Sequence, residues 1–93
     1  MVLNQNYPNP FNSSTIFSYS IPPNLSNQRI KLTIYNINGQ KVKRLIDDTL
    51  PYGNYMTKWD GTDESGKALP SGTYLCKLEA GNIISARKIT LLK

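Results

Sequence analysis

Apolar residues recur at every second position through most of the chain, and turn-forming residues cut that alternation into short runs. Phe17, Tyr19 and Ile21 alternate with Ser18 and Ser20, and Ile30, Leu32 and Ile34 with Lys31 and Thr33. Tyr55, Thr57 and Trp59 alternate with Met56 and Lys58, and Tyr74, Cys76 and Leu78 with Leu75 and Lys77. Side chains two apart share one face of a strand, so each run offers a single stripe to a core. No stretch shows a 3.6-residue period over ten residues behind a capping residue, so the chain reads as strands.

The punctuation specifies the connections. Pro22-Pro23 ends the first run because proline cannot donate to a ladder. Asn38-Gly39 predicts a two-residue type I′ hairpin, whose central positions both require positive φ. Asp60-Gly61 opens a polar loop that runs to Gly66, and Ala80-Gly81-Asn82 separates the last two runs. Strands are expected at about 15–21, 29–36, 40–46, 54–60, 67–69, 72–79 and 84–92. Seven short strands in 93 residues predict an all-β fold, an immunoglobulin-like antiparallel β-sandwich, with an open barrel as the alternative. Residues 15–93 form the predicted sandwich. Residues 1–14 read as an extended segment packed on it, with Tyr7 and Phe11 as aromatic anchors.

Composition removes several function classes. A chain of this length buries only about 60–65% of its unfolded surface, which leaves one small core and no deep cleft. Histidine is absent, which excludes Ser-His and Cys-His nucleophilic pairs and His-ligated zinc. The lone Cys76 allows no intrachain disulfide and no thiolate cluster. On an apolar stripe between Tyr74 and Leu78 it reads as a small buried hydrophobe. The six glycines match neither phosphate-loop pattern, so no cofactor is expected. No apolar run approaches the roughly 20 residues of a membrane span. The polar, proline-broken Met1–Asn12 is no signal peptide, which fits a domain excised from a longer chain.

Three clusters have a sharper and a plainer reading. Asp60, Asp63 and Glu64 could offer oxygen ligands to Ca²⁺. Their spacing misses the EF-hand pattern, and Asp and Gly are ordinary turn residues, so no metal site is assigned. Arg29, Lys31, Lys41, Lys43 and Arg44 form a basic set, with no acid before Asp47. It reads as a solvated face with lysines guarding edges, or as a surface for an anionic partner. Nucleic acid is not expected, because only Tyr35 could stack within that set. Tyr52, Tyr55, Trp59 and Tyr74 could form a sugar platform, but alternation turns all except Tyr52 inward.

Five blocks in order resemble one family. They are Asn6-Tyr7-Pro8-Asn9-Pro10-Phe11-Asn12 with Ser14-Thr15 and Tyr19-Ser20-Ile21-Pro22, then Leu32 to Val42 around Asn38-Gly39. Trp59-Asp60-Gly61 with Gly66 follows, then Pro70-Ser71-Gly72-Thr73-Tyr74, and finally Arg87 to Lys93. Together they resemble the type A C-terminal sorting domain of bacterial type IX secretion, and the Pro70–Tyr74 block is also similar to the immunoglobulin-like domain of flagellar hook-capping proteins. Ser13 departs from the proline common at that place. The resemblance implies a noncatalytic label at the end of an exported cargo protein. It implies recognition by an outer-membrane translocon and a surface sortase, and delivery through the periplasm to the cell surface or beyond. The residues expected to be read are Tyr7, Pro8, Asn9, Pro10, Phe11, Asn12, Pro70, Gly72, Tyr74, Arg87, Lys88 and Lys93. The alternative is a carbohydrate-binding or spacer module of an extracellular enzyme.

Overall fold

Once the chain pleats, each alternating run has one apolar face, and two such faces bury each other. The computed structural model, which describes residues 1–93, shows this arrangement in seven strands. They are β1 (Val2–Leu3), β2 (Thr15–Ile21), β3 (Gln28–Tyr35), β4 (Lys41–Leu50), β5 (Gly53–Trp59), β6 (Gly72–Ala80) and β7 (Ile83–Leu91). A three-stranded sheet, β1-β2-β5, faces a four-stranded sheet, β4-β3-β6-β7. All strand pairings are antiparallel, and the fold is an immunoglobulin-like β-sandwich. No helix is long and apolar enough to cross a membrane.

The core lies between the sheets. Phe17, Tyr19 and Ile21 face Ile30, Leu32 and Ile34 with Tyr74, Cys76 and Leu78, and Ile89 and Leu91 complete the layer. Trp59 is 1% exposed and stands between Phe11 and Tyr74, with ring centroids 5.5 Å and 5.8 Å away. Its indole N–H donates to the Thr62 carbonyl at 3.0 Å, which satisfies the one polar atom this ring carries inward. Tyr74, four residues after Pro70, donates its hydroxyl back to the Pro70 carbonyl at 2.7 Å. That is the tyrosine corner of immunoglobulin-like sandwiches. Burial raises the Cys76 thiol pKa far above its ordinary value, which keeps it protonated and unreactive.

Four details differ from the sequence reading. Residues 67–69 form no strand: Asp63 takes the Lys67 amide at 3.0 Å, Pro70 has none to give, and only Ala68 bridges, to Thr62. The seventh strand is instead β1. The strand expected at 40–46, β4, extends past Ile46 to Leu50, because its polar end pairs with Gln28–Lys31 of β3. The Asn38-Gly39 hairpin is not type I′, since Gly39 has φ +79° but Asn38 is not in the positive-φ region. Gly39 N–H bonds the Asn36 carbonyl at 3.0 Å and Asn36 N–H bonds that of Gln40 at 3.0 Å. This is the three-residue loop in which a type I turn ends on a left-handed glycine. The Asn36 side-chain oxygen selects it by accepting the amides of Asn38 and Gln40, both at 3.0 Å.

Candidate functional site

The amino-terminal segment does not run along one sheet. Val2 and Leu3 pair with Ser20 and Tyr19 of β2, and Tyr7 exchanges both backbone bonds with Ile16. The chain then crosses to the other sheet, where Phe11 lies in parallel beside Leu91 of β7. Phe11 N–H donates to the Thr90 carbonyl at 3.0 Å, and Leu92 N–H donates to that of Phe11 at 2.8 Å. Asn9 accepts the Thr90 amide on its side-chain oxygen at 3.0 Å. The segment thus bonds to an edge of both sheets and covers backbone groups of β7 that would otherwise be open.

Of the two expected anchors only Phe11 is one. It is 3% exposed, while Tyr7 is 81% exposed. Parity explains the difference. Tyr7 is the partner of Ile16, whose side chain points out of the sandwich, whereas Phe11 is the partner of inward-facing Leu91. The inner anchors that the sequence reading missed are Leu3, fully buried, and Asn6, buried and polar. Asn6 is fully engaged: its amide donates to Thr15 Oγ1 at 2.9 Å and to the Pro8 carbonyl at 3.1 Å, and its oxygen accepts from Gln5 at 2.8 Å. Thr15 Oγ1 donates to the same Pro8 carbonyl at 2.8 Å. The segment was expected to be extended throughout. Instead residues 8–10 bend, and both Tyr7–Pro8 and Asn9–Pro10 are cis.

The twelve expected recognition residues come largely to one end of the sandwich. Phe11, Trp59 and Tyr74 form its aromatic floor. Pro8, Pro10, Phe11 and Asn12 border a shallow recess of about 430 Å³ with Leu92 and Lys93. Ser71, beside Pro70 and Gly72, accepts the Lys93 amide at 2.8 Å and ties the tail to the start of β6. Gly61 closes the floor with φ +75°, and a Cβ there would touch Leu91 at 3.5 Å and Phe11 at 3.7 Å. Within this set Phe11 and Tyr74 are buried in the core and offer a partner little surface. Arg87 and Lys88 stand further along β7. Arg87 is committed to a backbone bond, its Nε donating to the Leu3 carbonyl at 2.9 Å. Lys88 is exposed, and its carbonyl accepts from Gln5 at 2.8 Å.

The acidic loop spends its carboxylates on itself. Asp63 Oδ1 accepts Ser65 N–H, Ser65 Oγ and Lys67 N–H between 2.8 and 3.0 Å. Asp60 accepts from both the amide and the hydroxyl of Thr62. Hydrogen bonds from Ser65 and Thr62 hold these two carboxyls below the ordinary aspartate range. Glu64 accepts the Arg44 amide at 2.6 Å and covers the edge of β4. Tyr55 and Tyr74 turn toward the interior with Trp59, and Tyr52 stands exposed away from the other rings, so no row of aromatics faces solvent.

The family model described as FlgD Ig-like domain matches residues 5–82. No curated protein matches at a significant level. Among solved structures, the chain is similar to PorU from Porphyromonas gingivalis, described as dimeric and latent, at TM-score 0.71 and 23% identity over 97% of this chain and 9% of that one. It is also similar to PorZ of the same organism, described as an essential bacterial surface component of the type-IX secretion system. That likeness has a TM-score of 0.65 and 12% identity over 96% of this chain and 11% of that one. The chain therefore spans about a tenth of the length of either protein.

Proposed function

The chain belongs to the FlgD Ig-like domain family, and from that premise we propose that it is a noncatalytic sorting and anchoring module of type IX secretion. In this reading it sits at the carboxyl end of an exported bacterial cargo protein. The outer-membrane translocon recognises it, and a surface sortase acts on it at the cell surface. The observation that carries the reading is the convergence at one end. Segments from the start, the middle and the end of the chain meet around Phe11, Trp59 and Tyr74. A label read by a partner must be rigid, and here backbone bonds fix its pieces to the sandwich. The naming of PorZ as a type-IX component, on a domain of this fold, agrees with the reading. The absence of histidine and the buried thiol of Cys76 support a noncatalytic role.

The test fuses residues 1–93 to a periplasm-directed reporter in a host with this secretion system. Surface delivery is the expected result. A Tyr7→Ala, Asn12→Ala, Lys93→Gln variant alters only exposed side chains of the convergent end, and is expected to lose delivery at an unchanged melting temperature. Failure of the unaltered fusion to leave the periplasm would overturn the sorting role. Full delivery of the triple variant would overturn the assignment of this end as the recognised surface.

A further inference from the structure

The outward face of the four-stranded sheet is unlike the other. Strand register places Lys41, Tyr35, Leu75 and Lys88 in one row across β4, β3, β6 and β7. The next row is Arg44, Thr33, Lys77 and Ala86, and the third is Asp47, Lys31, Glu79 and Ile84. Four of the five basic residues grouped in the sequence lie on this face. Lys43 leaves it through the bulge after Leu32 and turns to Thr62 and Asp63. Lys77 and Lys88, distant in sequence, join it. The carboxylates Asp47 and Glu79 lie in the third row on either side of Lys31, and Asp47 is occupied by Arg29 at 2.7 Å and Arg44 at 3.8 Å.

The first two rows therefore hold four cations and no acid, over about 14 × 7 Å from ordinary strand and residue spacings. Lys77 Nζ stands 4.8 Å over the Tyr35 ring, Leu75 is half-buried beside it, and Thr33 is fully covered. Next to them, Ile37 projects from the hairpin tip at 79% exposure. A recess of about 340 Å³ separates it from Thr73, Leu75 and Lys88. The recess, with Ile37, Tyr74 and Leu75 in its wall and Lys88 at its edge, has the apolar core and charged rim of a protein–protein interface.

We propose that this face docks an acidic protein segment that carries one apolar side chain. The apolar side chain enters the recess beside Ile37, and its carboxylates meet Lys41, Lys77 and Lys88. Glu79, the carboxylate of this face that makes no ion pair, fixes the orientation by repelling an acid laid over the third row. Glu79 also disfavours a membrane, since a uniformly anionic sheet of headgroups lying flat on the face would meet it as well. The proposal goes beyond the export reading and stands on this face alone.

The test titrates the ¹⁵N-labelled chain with two synthetic peptides, each rich in Glu and Asp, one with a central Phe and one with Gly in its place. Phosphatidylglycerol vesicles form the third arm. The Phe peptide is expected to shift the amides of Tyr35, Ile37, Lys41, Leu75, Lys77 and Lys88, and to bind more tightly than the Gly peptide. A Lys41→Gln, Lys88→Gln variant should weaken it by about 2–30-fold, from two exposed ion pairs of ordinary strength. A Lys58→Gln, Lys67→Gln variant, on other surfaces, should not. Equal affinity for the two peptides, equal shifts around Lys58 and Lys67, or no binding by either peptide would overturn the proposal. So would binding to vesicles alone, which would assign the face to a membrane.

Discussion

Arg87 donates its Nε hydrogen to the main-chain carbonyl of Leu3, 84 residues earlier, and so ties edge strand β7 to edge strand β1 across the gap between the sheets. The bond makes Arg87 a structural residue within a run of basic residues that otherwise points to solvent. Arg87→Ala is expected to cost about 0.5–1.5 kcal/mol, the net worth of a partly solvated hydrogen bond. Lys88→Ala and Lys93→Ala should each stay within about 0.5 kcal/mol. Urea denaturation of the three variants measures the contrast, and equal midpoints would remove the tie.

Phe11 and Tyr7 should behave oppositely. Phe11→Ala empties a buried site against Trp59 and Leu91 and should cost about 3–5 kcal/mol. Tyr7→Ala, on an exposed ring, should cost less than about 0.5 kcal/mol. The Leu92 amide, which donates to Phe11, should lose its protection from hydrogen exchange in the Phe11 variant well before the amides of β3 do.

Trp59→Ala should be the most damaging single truncation, at about 3–5 kcal/mol. That is a large share of the roughly 5–14 kcal/mol expected of a domain this size. Trp59→Phe keeps most of the ring but leaves the Thr62 carbonyl without its donor, and should cost clearly less. Calorimetric midpoints order the two, and a reversed order would contradict the packing.

Gly61 has φ +75°, and a methyl group placed on its Cα would stand at ordinary contact distance, 3.5 Å from Leu91 and 3.7 Å from Phe11. Gly61→Ala should cost about 1–2 kcal/mol through the left-handed backbone alone. Gly66, also at positive φ with open space around it, should lose about as much on the same substitution. A loss at Gly61 well above that at Gly66 would mean that the floor of the convergent end has no room for the added methyl group.

The Asp60–Gly66 loop should give the protein a pH dependence of definite sign. Hydrogen bonds from Thr62 and Ser65 lower the pKa of Asp60 and Asp63 in the folded state. Their stabilisation is therefore complete above the unfolded value of about 4, and is lost as pH falls through the lower folded values. Melting temperature should drop as pH falls below about 4, and an Asp60→Asn, Asp63→Asn variant should show a flatter profile over the same range. Parallel profiles would mean that the loop carboxylates do not couple to folding. Millimolar Ca²⁺ at pH 7 should leave the wild-type midpoint unchanged, because the Asp63 oxygen that faces the loop already serves three donors.

Much of the sandwich was legible because period-two alternation is a local property. The stripes of β2, β3, β5 and β6, and the inward Ile89 and Leu91 of β7, stand where the spacing puts them. The hairpin type was not legible from Asn38-Gly39, because the deciding acceptor is the side chain of Asn36, outside the dipeptide. Nor was β1, since two residues carry no period of their own and Val2 and Leu3 become a strand only beside Ser20 and Tyr19.

The all-β class, the inward stripes and the turn positions were readable from the chain alone, because each depends on neighbours within a few residues. Which residues meet was settled by folding. Strand pairing sets parity across the sheet, so it turned Tyr7 outward and Phe11 inward, moved Lys43 off the basic face, and brought Lys77 and Lys88 onto it. It also closed the two ends of the chain on each other through Arg87 and Leu3, and through Phe11 and Leu91. Those contacts join residues about eighty positions apart, and no local spacing encodes a register between strands that far separated.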